Sequence, residues 1–300
     1  MTYAVGDVQQ RWSELGEFLR SRRARLEPRF ETPGEQRRVP GLRRQEVATG
    51  AGVSVAYYTR LEQGRAPNVS DDVLAAVFRA LDLDDAERAH AWQMARPAPQ
   101  PPYDGSSELV RPHVRAMVET LAPTPALVLG RDRHLLAWNA TAHALHAPHV
   151  DPAAVDEPHT RPWWPALLFG DPRVAAIFVD WIAKARDTVS DLRVELGRRP
   201  GDGRLRRLVD ELRVASRAFD ELWAAYPIEP CAYHDRRYRV PDLGELTLHD
   251  EFLQLGDDDG QRLAIFTAAP GSASAMVLDQ LAASSSVSSL PRSRGGKRPP

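Results

Sequence analysis

Val55, Ala56, Thr59 and Arg60 carry the chemistry that defines this sequence. A guanidinium such as that of Arg60 can bridge the two acceptors of a guanine, worth about 1–3 kcal/mol of discrimination against other bases. Val55, Ala56 and Thr59 share its side of a helix. Tyr58 and Leu61 fall on the other side by the i, i+3, i+4 rule and face a core. The elements that must position these side chains lie in the stretch from Arg43 to Gly64. It reads as two short helices around a tight turn at Gly52, where a helix end needs the left-handed backbone that glycine adopts without penalty. Val47 and Ala48 are small enough for close helix packing. Ser54 can cap the second helix through its hydroxyl, and Gly64 stops it. Such a unit is built to lay one helix face in the DNA major groove.

Charge is placed to match. Arginines from Arg11 to Arg65 crowd the N-terminal part, and the Asp71-Asp72 and Asp82-Leu83-Asp84-Asp85 clusters follow and offset them. A local basic surface is what a DNA-facing side requires. Arg20 to Arg25 can equally form the solvated face of the first helix. Glu62 is read as a structural partner of Arg23 rather than a base contact. Tyr57 stands between phosphate contact and packing, and Arg43 between the DNA-facing set and a solvated charge.

Residues 11–95 closely resemble the helix-turn-helix of the Xre/Cro/phage-repressor family, most specifically in Tyr57-Tyr58-Thr59-Arg60-Leu61-Glu62-Gln63-Gly64. The resemblance implies a bundle of about five helices that binds DNA as a dimer. It places Arg44 or Gln45 on phosphate and Val55, Ala56, Thr59 and Arg60 over base edges. Arg65 and Asn68 meet the backbone again. With Arg43, Ser54 and Tyr57 these make the expected DNA-binding set. Gly50 stands where the family usually has a core leucine. A helix-interior glycine costs roughly 1 kcal/mol, so a looser domain is expected.

Three hundred residues with 43% apolar content make two domains the default. The single cysteine, Cys231, rules out a disulfide within the chain and a cysteine-based zinc site. No signal peptide and no membrane-spanning run is read, so a cytoplasmic protein without a membrane partner is expected. Only Lys184 and Lys297 are lysines, an arginine bias consistent with a GC-rich, actinobacterial genome. Residues 11–96 are read as the DNA-binding domain, 97–106 as a Pro-rich extended linker and 107–282 as a second domain. The segment 283–300 is read as a disordered basic tail.

In the N-terminal domain, helices are expected over 15–25, 71–81 (capped by Ser70) and 84–94, with a loop over 28–40. The second domain is expected to open with a helix over 109–121, followed by strands at 126–129 and 134–137. Asn139 should cap a helix over 140–146. Two long amphipathic helices, 172–196 and 204–226, come next. Strands at 237–240, 245–255 and 262–268 end it, with a hairpin turn at Asp257-Asp258-Asp259-Gly260.

An ordered set of short motifs runs through this region: Ala137-Trp138-Asn139, Asp180-Trp181, Leu192-Arg193, Ser216 with Phe219 and Leu222-Trp223, Gly244 with Leu246 and Leu248, and Ala269-Pro270-Gly271-Ser272. Together they resemble the MmyB-like ligand-binding domain. The resemblance implies an α+β, PAS-like fold: an antiparallel sheet flanked by helices around an apolar cavity. The chain is thus expected to be multidomain, an all-α bundle followed by this α+β domain. Members sense small, lipophilic molecules such as fatty-acyl compounds. Pocket candidates are Trp138, Phe178, Trp181, Phe219, Trp223, Phe252 and Phe266, each of which can instead be core. Asn139, Arg193, Ser216 and His249 are candidate polar groups. The segment 148–165 departs from the family pattern.

His143, His146 and His149 have zinc-like spacing, but Pro148 interrupts the helix and no further ligand completes a site, so no metal is expected. No cofactor is expected either. The sequence has no phosphate loop, nucleophile elbow or His-Glu-Xaa-Xaa-His motif, so an enzyme is not expected. The reading is a transcription regulator, a homodimer on an inverted-repeat operator in double-stranded DNA, sensing a small lipophilic effector. The alternative is a DNA-binding protein whose second domain only dimerises or docks a protein partner.

Overall fold

A computed structural model describes residues 5–26, 41–96, 108–199, 202–226, 233–256 and 260–288. The linker, the 28–40 loop, Cys231, the turn residues 257–259 and the end of the tail lie outside them. Contacts divide the chain into two compact units: 1–104 with 186–230, and 105–185 with 231–300. The first unit therefore includes a stretch of the region read from sequence as the second domain.

In the first unit, α1 (Val5–Arg25), α2 (Arg44–Gly50), α3 (Val55–Glu62), α4 (Asp71–Ala80) and α5 (Asp85–Ala95) enclose a core of Trp12, Leu15, Phe18, Tyr58, Leu74 and Phe78. The capping signals act as their residue types require. Ser54 accepts from the Tyr57 amide, Ser70 from Val73, and Asp84 closes a capping box with Glu87. Gly52 and Gly64 both take positive φ, 67° and 68°. Gly64 has a second reason to be glycine, because a Cβ there would stand 2.7 Å from the Ser13 backbone nitrogen. The Gly50 expectation is corrected. It is the last, exposed residue of α2, and a Cβ would already reach Ala80 at 3.3 Å, so no leucine-sized hole exists.

The two long helices read from periodicity are each broken. The first becomes α9 (Pro172–Ala176) and α10 (Trp181–Arg198). Between them the backbone pairs with a strand: Arg239 donates to the Ile177 carbonyl at 2.7 Å and Val179 to Arg237 at 3.1 Å. The second becomes α11 (Gly203–Ala215) and α12 (Arg217–Ala225), split at Ser216, which turns extended and caps α12 through the Phe219 amide. The boundary between the two units falls within α10.

The second unit holds a five-stranded antiparallel sheet in the order β2-β1-β5-β4-β3, the α+β, PAS-like arrangement expected. The strands are β1 (Ala126–Leu129), β2 (Leu135–Trp138), β3 (Tyr233–Val240), β4 (Gly244–Gln254) and β5 (Arg262–Thr267). β1 is wholly buried because both faces are covered. Ala126 and Val128 pack with Val114 and Val118 of α6 (Pro112–Thr120). Leu127 and Leu129 join the larger core with α7 (Ala140–His146), α8 (Trp164–Gly170) and a final helix α13 (Ala273–Ser288). That last helix was not expected. It extends through 283–288, which the sequence reading gave to a disordered tail. Buried Asn139 ties the unit together, accepting from Ala142 and Ala126 and donating to the Val118 and Thr124 carbonyls.

Candidate DNA-reading surface and effector site

α3 is held from behind by charge. Glu62 is buried, and its carboxylate takes Arg23 Nε at 2.5 Å and Arg44 Nε at 2.7 Å. Burial alone would raise this carboxyl. The hydrogen bonds from Arg23 and Arg44 more than offset it and hold the group below its usual range. Arg20 donates to the Glu62 carbonyl at the C-terminal end of the helix. Gly16 lets α1 come this close, since a Cβ there would lie 2.4 Å from that same carbonyl oxygen. With Tyr58 and Leu61 also buried, the opposite face of α3 is left to solvent: Val55 is 43% exposed, and Ala56 and Arg60 are exposed beside it.

The other residues of that surface have distinct settings. Thr59 donates its hydroxyl to the Val55 carbonyl at 2.7 Å, so its proton is engaged within the helix. The Arg60 guanidinium rests 5.7 Å from the Tyr57 ring centroid, and Tyr57 is half-buried. Gln45, Ser54, Arg65 and Asn68 are exposed, while Arg43 is half-buried. Arg44 has a partner the sequence reading did not give it: with its side chain 43% exposed, it braces Glu62.

In the second unit, polar groups converge inside an aromatic shell. Lys184 Nζ lies 5.5 Å from the Phe252 ring centroid, 5.7 Å from Phe178 and 5.8 Å from Trp164, and 3.9 Å from Asp250. Asp250 is fully buried and also takes the Tyr238 hydroxyl at 2.7 Å and Arg236 Nε at 3.2 Å. Burial and the neighbouring Asp250 charge push the Tyr238 phenol well up, so it stays a donor. His146 packs against Trp164, Tyr238 and Phe266, and burial holds its pKa down to about 3.

Residues 14–91 match a family model described as a helix-turn-helix domain. Residues 110–281, more than half of the chain, match the MmyB-like transcription regulator ligand binding domain. The chain belongs to the MmyB-like transcription regulators. It is thus a DNA-binding transcription regulator with a ligand-binding domain. No curated protein matches it.

Within this regulator, five of the seven aromatic pocket candidates share the second unit. Phe178 and Phe266 are buried, and Trp138, Trp181 and Phe252 half-buried against the same core. Phe219 and Trp223 stack on each other on α12, in the first unit. The polar candidates have separate settings. Asn139 is the helix cap expected of it, Arg193 and Ser216 belong to the first unit, and half-buried His249 pairs with Asp235 and Glu251. Sequence reasoning missed Lys184, Asp250, Tyr238 and Arg236. The one available signal was Lys184, one of only two lysines in an arginine-rich chain. His143 and His149 are engaged by the Val150 carbonyl and Asp171. No described helix is long and apolar enough to cross a membrane.

Proposed function

We propose that this regulator reads an inverted-repeat operator as a homodimer, with α3 of each copy in major-groove faces ~34 Å apart. The observation that carries this reading is the division of α3 into a locked face, Tyr58, Leu61 and Glu62, and a free one, Val55, Ala56 and Arg60. Arg60, with Val55, Ala56 and Thr59, faces base edges. Arg43, Arg44, Gln45, Ser54, Tyr57, Arg65 and Asn68 face phosphates. Residues 11–96 serve as the DNA-binding domain and 107–282 carry the sensing function.

The effector in this reading is a small lipophilic, fatty-acyl-like molecule. Its apolar body lies among Phe178, Trp181, Phe252 and Phe266, with Trp138 close by, and Lys184 is its polar anchor. Lys184 supports this because its ammonium is buried in an aromatic shell beside the apolar candidates, within 5.8 Å of three ring centroids. Such a ligand shifts DNA affinity only by its differential affinity for two states of the dimer. The test is to incubate the purified full chain with a lipid extract and identify retained molecules by mass spectrometry. A retained acyl compound is expected. An empty chain that also ignores a fluorescent fatty acid would overturn the effector reading and leave a second domain that dimerises or docks a protein partner.

A further inference from the structure

A cleft of about 210 Å³ opens within the first unit. Its walls come from α1, α10, α11 and the end of α12, with Met94 added from α5. That volume far exceeds the ~10–15 Å³ a single water needs. It falls below the ~300–1,000 Å³ of sites for drug-sized ligands. A single small metabolite is the matching size.

The charges in the cleft are incompletely paired. Arg193 is only 8% exposed. Its guanidinium lies 3.5 Å from the Tyr226 ring centroid and 4.0 Å from that of Trp223, and it donates to the Trp223 carbonyl. Its Nε is buried without a hydrogen-bond partner, and among the described residues it forms no ion pair. Burial draws the group down to about 10, only partly offset by Tyr226, Glu17 and Glu14. A buried guanidinium without a carboxylate is an unfinished pair.

The other charged walls sort themselves by partner. Glu14 is held by Arg206 at 2.5 Å and Arg213 by Asp220 at 2.8 Å. Glu17 and Asp210, both exposed, have no hydrogen bond or ion pair among the described residues. One buried cation and two rim carboxylates therefore stand open around an apolar floor of Met94, Leu196 and Trp223.

We propose that this cleft binds a small zwitterion of amino-acid type: its carboxylate on Arg193, its ammonium between Glu17 and Asp210, and its apolar side chain against Met94, Leu196 and Trp223. A lone anion would meet the two carboxylates, and a lone cation would leave Arg193 unanswered. The ligand touches α1, whose Gly16 and Arg20 support the end of α3, so its binding bears on the reading helix. This site is separate from the lipophilic effector reading and does not rest on it.

The test is calorimetric titration of the full chain with L-leucine, L-methionine, L-phenylalanine and L-tryptophan, each with its deaminated and decarboxylated analogue. At least one zwitterion is expected to bind one-to-one, with both single-charge analogues weaker by about tenfold or more. Glu17→Gln with Asp210→Asn, at exposed positions that leave the fold intact by circular dichroism, is expected to weaken it by about tenfold. Arg193→Lys is expected to abolish it. No binding of any of the four at millimolar concentration would overturn the proposal. So would an analogue that binds as well as its parent, or a double variant that binds unchanged.

Discussion

Glu62→Gln tests how the reading helix is held. The carboxylate is fully buried between Arg23, whose side chain is 12% exposed, and Arg44, at 43%. Removing one member of a buried ion pair costs about 3–5 kcal/mol, whereas an exposed pair is worth about 0–1 kcal/mol. The Arg23 contact is of the first kind and the Arg44 contact close to the second. Glu62→Gln should therefore cost ~3 kcal/mol, and Arg44→Gln less than ~1 kcal/mol. At a urea dependence of ~1–3 kcal/mol per molar, the first shifts the midpoint by ~1–3 M. Hydrogen exchange of peptides covering α1–α5, followed through a urea series, reads this unit without interference from the other. The pH dependence has a defined sign. The carboxyl is lowered in the fold, so its stabilisation is complete at neutral pH and is lost as pH falls below the ordinary carboxylate range. A Glu62→Gln variant with unchanged stability and altered base preference would refute the reasoning and put Glu62 on DNA.

Gly16→Ala should destabilise the first unit by several kcal/mol in the same exchange experiment, because the new methyl meets the Glu62 carbonyl at 2.4 Å and backbone must move; a neutral effect would mean α1 and α3 are less closely apposed. His90 and His146 are buried and each held down to about 3, so the folded units resist protonation that the unfolded chain accepts at ~6.5. Each unit should lose ~1.4 kcal/mol per pH unit below ~6.5, and His90→Phe should flatten that slope for the first unit only. Arg65→Ala should weaken DNA binding evenly across sequences and reduce the salt slope by ~1 in a filter-binding series, as loss of one phosphate contact requires.

Local signals were legible where one residue answers to its neighbours. Gly52, Ser54, Gly64, Ser70 and Asn139 each act where sequence placed them, because caps and left-handed turns are decided within a few residues. Strands β1, β2, β4 and β5 were readable to within a residue from alternation and turn residues; β3 begins four residues before its expected start. The break at 177–180 was not legible. The apolar period runs straight through it, and only pairing with Arg237 and Arg239, some sixty residues on, overrides the helix. The same limit applies to Phe219 and Trp223. Their amphipathic spacing shows a buried face but not which core it joins, and Tyr226 at the end of that segment packs on Phe18. Asp250 and Tyr238 were hidden for a related reason: a buried carboxylate on a strand looks like a solvated one until its partners on β3 and α10 are known.

The most direct test of the account is to select genomic fragments with the purified regulator and with Arg60→Ala. A two-fold symmetric site is expected from the parent chain. Arg60→Ala should lose preference at one base pair of each half-site, with a binding cost of about 1–3 kcal/mol per contact. The same preference at every position from both proteins would contradict the assignment of the exposed face of α3 as the reader.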